Sequence, residues 1–406
     1  MRRTARTLGR WTAFAAVIVC CGSVTGCSEP TGLPAAELRP AVERDGVAFT
    51  AQAIPAPLLD RLAQNRVVVV GETHLIREQG ELLGELLRSL HARGFRQLLL
   101  EWPHMADWLL ADFVEGTGLE PGFVPPLTNV GGSVLTAVRD FNRTLPEADR
   151  IHVRAIDVNL DEYGGAPSFR NLLTALSRHL PDPAPVATFL RAAYDSPERQ
   201  TAALNQLQGG LRAGETSLSA SWGSRWHDVV SEMVEVELAS VGIRAGRQSD
   251  YDRTAGDRED VIKRLADSRL DDYGFRTVVS AGNTHAQKSR LMGTEGVEWL
   301  GDYLAHRSPA AGGPVFVLCV TPARLVSEGA SPTTLYDVMS ESPGNELWRL
   351  MHEAWPDRIA FLPLDDPVFG TGGVLMNFDG TVYSGAPKAH YDALVLLPLS
   401  HRVPVQ

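Results

Sequence analysis

The stretch from Val67 to Glu101 constrains the chain most. Four consecutive valines run into Gly71-Glu72-Thr73-His74, a long amphipathic segment follows, and Gln97-Leu98-Leu99-Leu100 runs into Glu101. A continuous β-branched run without polar alternation marks a strand buried on both faces, the pattern of a parallel sheet covered by helices. Between the strands, apolar residues at 75, 76, 82, 83, 86, 87 and 90 form a helical stripe that Gly94 closes. The expected unit is strand, crossover helix, strand, with the two strands parallel neighbours. Their carboxyl ends then open at one sheet edge, where open α/β sheets place ligands. On extended backbone Glu72 and His74 point to the same side. A capping carboxylate and an ordinary loop histidine would look the same in this motif alone.

A second copy of the pattern shifts the balance toward a site. Thr277-Val278-Val279-Ser280 runs into Ala281-Gly282-Asn283-Thr284-His285, and Ile151 to Ile156 forms a third strand that ends in Asp157. Strand ends therefore bring two histidines and two glutamates together, with Asp157 a further pocket residue. Such a set can act without a metal, one histidine being general base on water while a carboxylate fixes its tautomer. The same Glu72, His74, Glu101 and His285 could instead hold a divalent metal such as Zn, Mn or Fe, which would activate the water. A third reading has the imidazoles holding haem. These alternatives stay open on the residues alone.

The rest of the chain reads as α/β alternation, with short helices at residues 58–65, 103–114 and 133–145. Further strands fall at Val315–Val320, Ile359–Leu362 and Ala393–Leu397. The expected fold class is α/β, a mostly parallel central sheet flanked by helices. Residues 165–272 show helical periodicity with almost no strand signal and read as a helical insertion or cap on one domain spanning 55–406. There Trp222 and Trp226, at helical spacing beside His227, read first as cap packing and second as a pocket wall. No Gly-x-Ser-x-Gly elbow is present, and the His352-Glu353 pair lacks a second zincin histidine because Pro356 stands at that position.

The amino terminus carries Arg2, Arg3, Arg6 and Arg10, then an apolar run from Trp11 to Cys21, then Val24-Thr25-Gly26-Cys27. A basic segment before a short apolar one is a secretion signal. Val-Thr-Gly-Cys resembles the bacterial lipobox, so residues 1–26 are expected to be removed and Cys27 acylated. Residues 27–54 read as an acylated terminus and flexible tether. An exported lipoprotein, membrane-anchored through Cys27 and facing the outside or periplasm, is the expected product. Of four cysteines only Cys27 and Cys319 remain after cleavage, so Cys319 has no disulfide partner and reads as core. The net charge of −11 becomes −15 as four arginines leave, which excludes nucleic acid as a main partner.

With these motifs assembled, the chain resembles the superfamily that joins erythromycin esterases, ChaN-like haem-binding lipoproteins and Tiki-type metalloproteases. Gly71-Glu72-Thr73-His74, Glu101 and Gly282-Asn283-Thr284-His285 carry the resemblance. The single residue between Glu72 and His74, the Gly-Asn-x-His form and the lipobox look like the ChaN-like branch. Val138 to Asn142, Ile156-Asp157-Val158, Arg258-Glu259 and the Tyr391 to Pro398 strand are more similar to erythromycin esterases. The resemblance implies hydrolysis of an ester, lactone or amide by activated water with no cofactor. Its other branches imply a haem-binding lipoprotein in uptake or a metal-dependent peptidase. It makes His74 the base, Glu72 and Glu101 its orienting carboxylates, and His285 with Arg258 the oxyanion or substrate contacts. Asn283, Asp157 and Glu259 complete the expected substrate contacts. The charged neighbours Asp257 and Asp260 also allow Arg258 and Glu259 to be a solvated helix face.

Overall fold

The computed structural model describes residues 32–116, 131–160, 168–178, 180, 184–328, 332–340, 344–378 and 381–403. The expected signal segment and Cys27 lie outside these residues. Among the described residues no helix is long and apolar enough to cross a membrane.

The strands are β1 (Val47–Phe49), β2 (Val67–Glu72), β3 (Phe95–Pro103), β4 (His152–Asp157), β5 (Arg276–Gly282) and β6 (Val315–Ser327). They continue with β7 (Thr334–Asp337), β8 (Ile359–Pro363), β9 (Val374–Phe378), β10 (Thr381–Gly385) and β11 (Ala393–Arg402). One sheet has the order β1-β8-β11-β6-β2-β5-β3-β4 with β7 beside β6, and β9 and β10 form a separate hairpin. Its central pairs β11–β6, β6–β2, β2–β5, β5–β3 and β3–β4 are parallel. The β1–β8, β8–β11 and β6–β7 pairs are antiparallel. The fold is the α/β class expected, and the valine run explains why. Val67 and Val69 pack with Leu99, Val279 and Val317 on one face, and Val68 and Val70 with Leu98, Val278 and Leu318 on the other.

Two expectations are corrected. β2 and β3 are parallel but not neighbours, because β5 lies between them and pairs with both. Strands two places apart are separated by about 10 Å, so the helix Arg77–His91 leaves a slot one strand wide, which β5 enters with His285 following its end. The second correction concerns residues 27–54. Ala35–Asp45 is a helix whose Leu38, Ala41 and Val42 are buried in the core, and Val47–Phe49 pairs with β8. Three apolar residues at helical spacing suffice to dock one turn, and Pro40 and the surrounding charge obscure them in composition.

Between β4 and β5 the described chain is helical: Phe169–Ser177, Ala184–Arg191, Pro197–Ala213, Glu215–Trp222, Ser224–Gly246 and Tyr251–Tyr273. These helices have their own apolar cluster, in which Trp222 is buried and Trp226 meets Trp108 edge to face at 6.3 Å. His227 is buried there beside the Leu211 carbonyl, so the Trp222, Trp226 and His227 group packs the helical layer.

The short helix Asn283–Ala286 that carries His285 is held by close backbone contact. A Cβ built on Gly301, in the helix Leu300–His306, would lie 1.8 Å from the Ala286 carbonyl oxygen. Gly301→Ala should therefore cost about 1–3 kcal/mol or more, since backbone rather than a flexible side chain must give. Gly242, inside the helix Ser224–Gly246, has nothing within 4 Å of its Cβ position. Gly242→Ala should stabilise by roughly 0.4–1 kcal/mol. Urea unfolding of both variants checks the contrast, and equal effects would remove the contact as a constraint.

Candidate functional site

The register of the sheet assembles the site. Glu72 is opposite Gly282 and Val70 opposite Ser280, so the ends of β2 and β5 are level, and Glu101 lies on β3 at the far side of β5. The Ser280 hydroxyl donates to Glu72 Oε2 at 2.7 Å, and the Gly282 amide donates to Glu101 Oε2 at 2.6 Å. β5 thus fixes both carboxylates. Each free oxygen then has a defined partner. Glu72 Oε1 lies 2.9 Å from His74 Nδ1, whereas Glu101 Oε1 takes Arg258 Nη2 at 2.6 Å.

Arg258 comes from the helix Tyr251–Tyr273 and ties Glu101, Asp157 and His285 together. Its Nε and Nη2 donate to the two oxygens of Asp157 at 2.9 and 2.7 Å, and its Nη1 lies 3.3 Å from His285 Nε2. Next along the helix, fully buried Glu259 bonds His285 Nδ1 through Oε1 and accepts the Leu300 amide at 2.9 Å through Oε2. Trp299 meets the His285 ring edge-on at 5.3 Å. The helix face carrying Arg258 and Glu259 is therefore turned inward, not solvated. Glu259 orients a histidine through one oxygen and the backbone through the other.

The two histidines differ in access. His285 is buried, while the His74 side chain keeps 47% of its surface exposed. His74 Nε2 is 3.9 Å from Glu101 Oε1, beyond hydrogen-bond range, so that carboxylate attracts the ring without holding this nitrogen. A Cβ at Gly282 would come within 3.1 Å of that nitrogen, so the glycine keeps the space above it clear. The loop behind His74 is clamped. Leu75 adopts φ 65°, a left-handed conformation uncommon for a leucine, with its carbonyl accepting the Val403 amide at 2.9 Å. Ile76 bridges to Arg402 at the end of β11.

Electrostatics follow from carboxylate surplus. Burial alone would lower His74, but Glu101 and Glu72 outweigh it and raise its pKa from 6.5 to about 9. Burial also opposes the charged form of His285, and Glu101 and Glu259 again prevail and raise it. Glu101 is pushed up by burial, yet His285, His74 and Arg258 bring it down to about 2. Since nearly half of the His74 side chain faces water, solvent screens its carboxylates and tempers the rise.

One expected contact is not a pocket residue. Asn283 is buried, with Nδ2 donating to the Val320 carbonyl at 2.9 Å and Oδ1 accepting the Val320 amide at 3.3 Å. Its amide continues the β6 ladder where the backbone pairing of β2 stops, and a Cβ on Gly71 would collide with it at 2.3 Å. Ser280 is the residue that sequence reasoning passed over. A serine in an otherwise apolar buried strand was its signal.

The donor set does not fit a divalent metal. Both Glu101 oxygens and both His285 nitrogens are engaged, and the Arg258 guanidinium stands as the cation among them. Among the described residues no group of three or more His, Cys, Asp or Glu has metal-binding geometry. For haem, His74 is the more exposed of the two site imidazoles, but it stands between Glu72 and Glu101, which disfavour an anionic porphyrin.

No protein-family model matches the chain, and no curated protein matches it significantly. Solved structures do. An erythromycin esterase, EreC, in an open conformation shares 14% identity at a TM-score of 0.63, over 88% of this chain and 98% of that one. The chain has the erythromycin-esterase fold. Two further structures share it: a protein from Bacillus cereus at 12% identity and TM-score 0.66, covering 92% and 100%, and a succinoglycan biosynthesis protein at 12% and 0.61, covering 91% and 98%. In this erythromycin-esterase fold the described chain places Glu72, His74, Glu101, Asp157, Arg258, Glu259 and His285 together, with Asn283 beside them in a structural role.

Proposed function

We propose that the protein is an exported lipoprotein, anchored through Cys27, in which His74 activates water to hydrolyse an ester, lactone or amide. One observation carries the catalytic part: His74 has Nδ1 fixed by Glu72 and Nε2 outside hydrogen-bond range of Glu101, on a ring that is nearly half exposed, beside a buried network that holds its cations in place. That the fold is shared with an erythromycin esterase supports hydrolysis as the reaction class. Neutral His74 takes a proton from water at Nε2 while Glu72 holds the Nδ1 proton. The hydroxide adds to the carbonyl carbon, and Arg258 with His285 balances the charge that develops on the carbonyl oxygen. The imidazolium then returns its proton to the departing alkoxide or amine, which leaves a carboxylic acid that gives its proton to solvent. No covalent enzyme intermediate is needed.

The raised pKa of His74 gives the reading a pH signature. Only the neutral ring can act as base, so kcat/KM should rise with pH across the interval from 6.5 to about 9. Glu72→Gln removes one of the charges that raise the pKa and should move this limb to lower pH while lowering the plateau. Stability runs the opposite way: because the folded pKa is raised, the contribution of His74 to folding is complete below 6.5 and fades as pH rises through about 9. A panel of nitrophenyl esters, lactones and peptide anilides assayed from pH 5 to 10 tests this. Turnover of none of them, or a profile independent of pH, would reject it, and a stoichiometric Soret band on haemin titration, lost in His74→Ala, would replace it with haem carriage.

A further inference from the structure

The fold begins close behind the expected lipid. Four residues separate Cys27 from Gly32, and Gly32 is already packed: a Cβ there would meet the Leu375 side chain at 2.7 Å. The next amide, that of Leu33, donates to the Gly373 carbonyl at 2.9 Å. Leu375 lies on β9 and Gly373 directly ahead of it. The helix Ala35–Asp45 follows at once, with Leu38, Ala41 and Val42 in the core. The chain therefore enters the fold alongside the β9–β10 hairpin and has no slack beyond that point. Five residue steps reach at most about 18 Å, whatever their conformation. A folded chain of about 370 residues has a radius of gyration of about 21 Å, so an acyl group on Cys27 could not leave the far side of the fold turned to a bilayer.

The surface beside this entry point offers apolar contact. Val382 on β10 is 37% exposed and packs against Gly344. The neighbouring Asn345 is bonded to Ser340, next to Met339, which is 45% exposed. Tyr383, which follows Val382, joins exposed Tyr251 in the wall of a cavity of about 240 Å³ that reaches Arg258 and His285. Val382, Met339 and Tyr251 are three of the six large apolar side chains exposed among the described residues, so half of them gather around one strand. From the short connection and this apolar fringe we propose that the β9–β10 hairpin, with Val382, Met339 and Tyr251, is the face that rests on the bilayer headgroups. This deepens the lipoprotein reading, on which it rests for the anchor at Cys27. A tyrosine suits such a face, because the headgroup layer accommodates both its apolar ring and its polar tip. The wall shared by Tyr251 and Tyr383 then puts the cavity beside His285 on the membrane side of the molecule.

The full chain in its membrane form, reconstituted into phosphatidylcholine vesicles doped with a nickel-chelating lipid, tests this with one nitroxide label at a time. Cys319 is buried, which leaves labelling to the introduced cysteine. A label at Val382→Cys should be relaxed by headgroup nickel several-fold more than one at Arg143→Cys, an exposed position ahead of β4 at the opposite end of the sheet. Equal relaxation, or a stronger effect at Arg143, would overturn the assignment. If Val382→Cys fails to fold, hydrogen exchange on the unaltered protein decides: amides of residues 371–377 should exchange more slowly on vesicles than in detergent, and those of residues 140–149 should not. Exchange at 371–377 that is the same in both media would also overturn it. The mass of the amino-terminal peptide separates the two failures. Acylated Cys27 with equal labels removes this face and leaves the anchor, whereas unmodified Cys27 removes the anchor and this face with it.

Discussion

Arg258→Ala should destabilise the folded protein by about 3–5 kcal/mol, the cost of leaving buried charge without its partner. The magnitude rests on burial. Asp157 and Glu101 have side chains 0% and 2% exposed, and Arg258 holds three of their oxygens. An exposed pair such as Arg199 and Asp195, at 61% and 69% exposure, contributes about 0–1 kcal/mol and is the fitting control. Acid should narrow the deficit. Glu101, held near 2 in the folded protein against a usual 4.5, contributes stability that is complete above 4.5 and is lost as pH falls toward 2. Without Arg258 part of that contribution is absent at neutral pH, so less remains to be lost. Urea unfolding of both proteins at pH 7 and pH 4 measures this, and a deficit below about 1 kcal/mol at pH 7 would show that the network is not what holds these strand ends.

His74→Ala should lower hydrolysis by about 10²- to 10⁴-fold, the range supplied by a positioned general base. Above pH 9 its unfolding midpoint should scarcely move, because the ring is then neutral and half exposed, whereas toward pH 6.5 the midpoint should fall as the attraction of Glu101 and Glu72 for the charged ring is lost. His285→Ala offers the counterpart. That ring is buried between Glu259, Arg258 and Trp299, so its loss should reduce stability and activity together. Comparing kcat with the urea midpoint for the two variants separates the roles. A His74→Ala protein with full activity would remove this residue from the mechanism.

Much of this site can be read from the chain because strand ends announce themselves. Apolar runs that stop at Glu72, Glu101, Asp157 and Gly282 mark one edge of a parallel sheet, and these are the groups that meet. What the runs do not encode is strand order, since pairing depends on contacts between distant segments. β5 therefore lies where β3 was expected. Arg258 and Glu259 are ambiguous for a related reason. Charged residues on a helix look solvated until the facing element is known, and here it is the buried end of β5. Asn283 misleads in the other direction, because a polar residue beside a catalytic motif can equally satisfy backbone, as it does at Val320. The β9–β10 hairpin escapes because each of its strands is only five residues long, and the Ala35–Asp45 helix because its buried apolar residues are few.

β2 is bordered by β5 on one side and β6 on the other, and both are formed by residues far later in the chain. The loop that presents His74 is fastened by Arg402 and Val403, later still. Long-range pairings of this kind form slowly, because loop closure must precede their reward. A growing chain that has made only the Glu72 and His74 segment therefore carries the reactive residues without a site. In the proposed hydrolase, turnover requires β5, β6 and the last strand to have closed around β2, so its activity would count fully assembled molecules, and recovery of turnover after dilution from urea should lag recovery of helix signal.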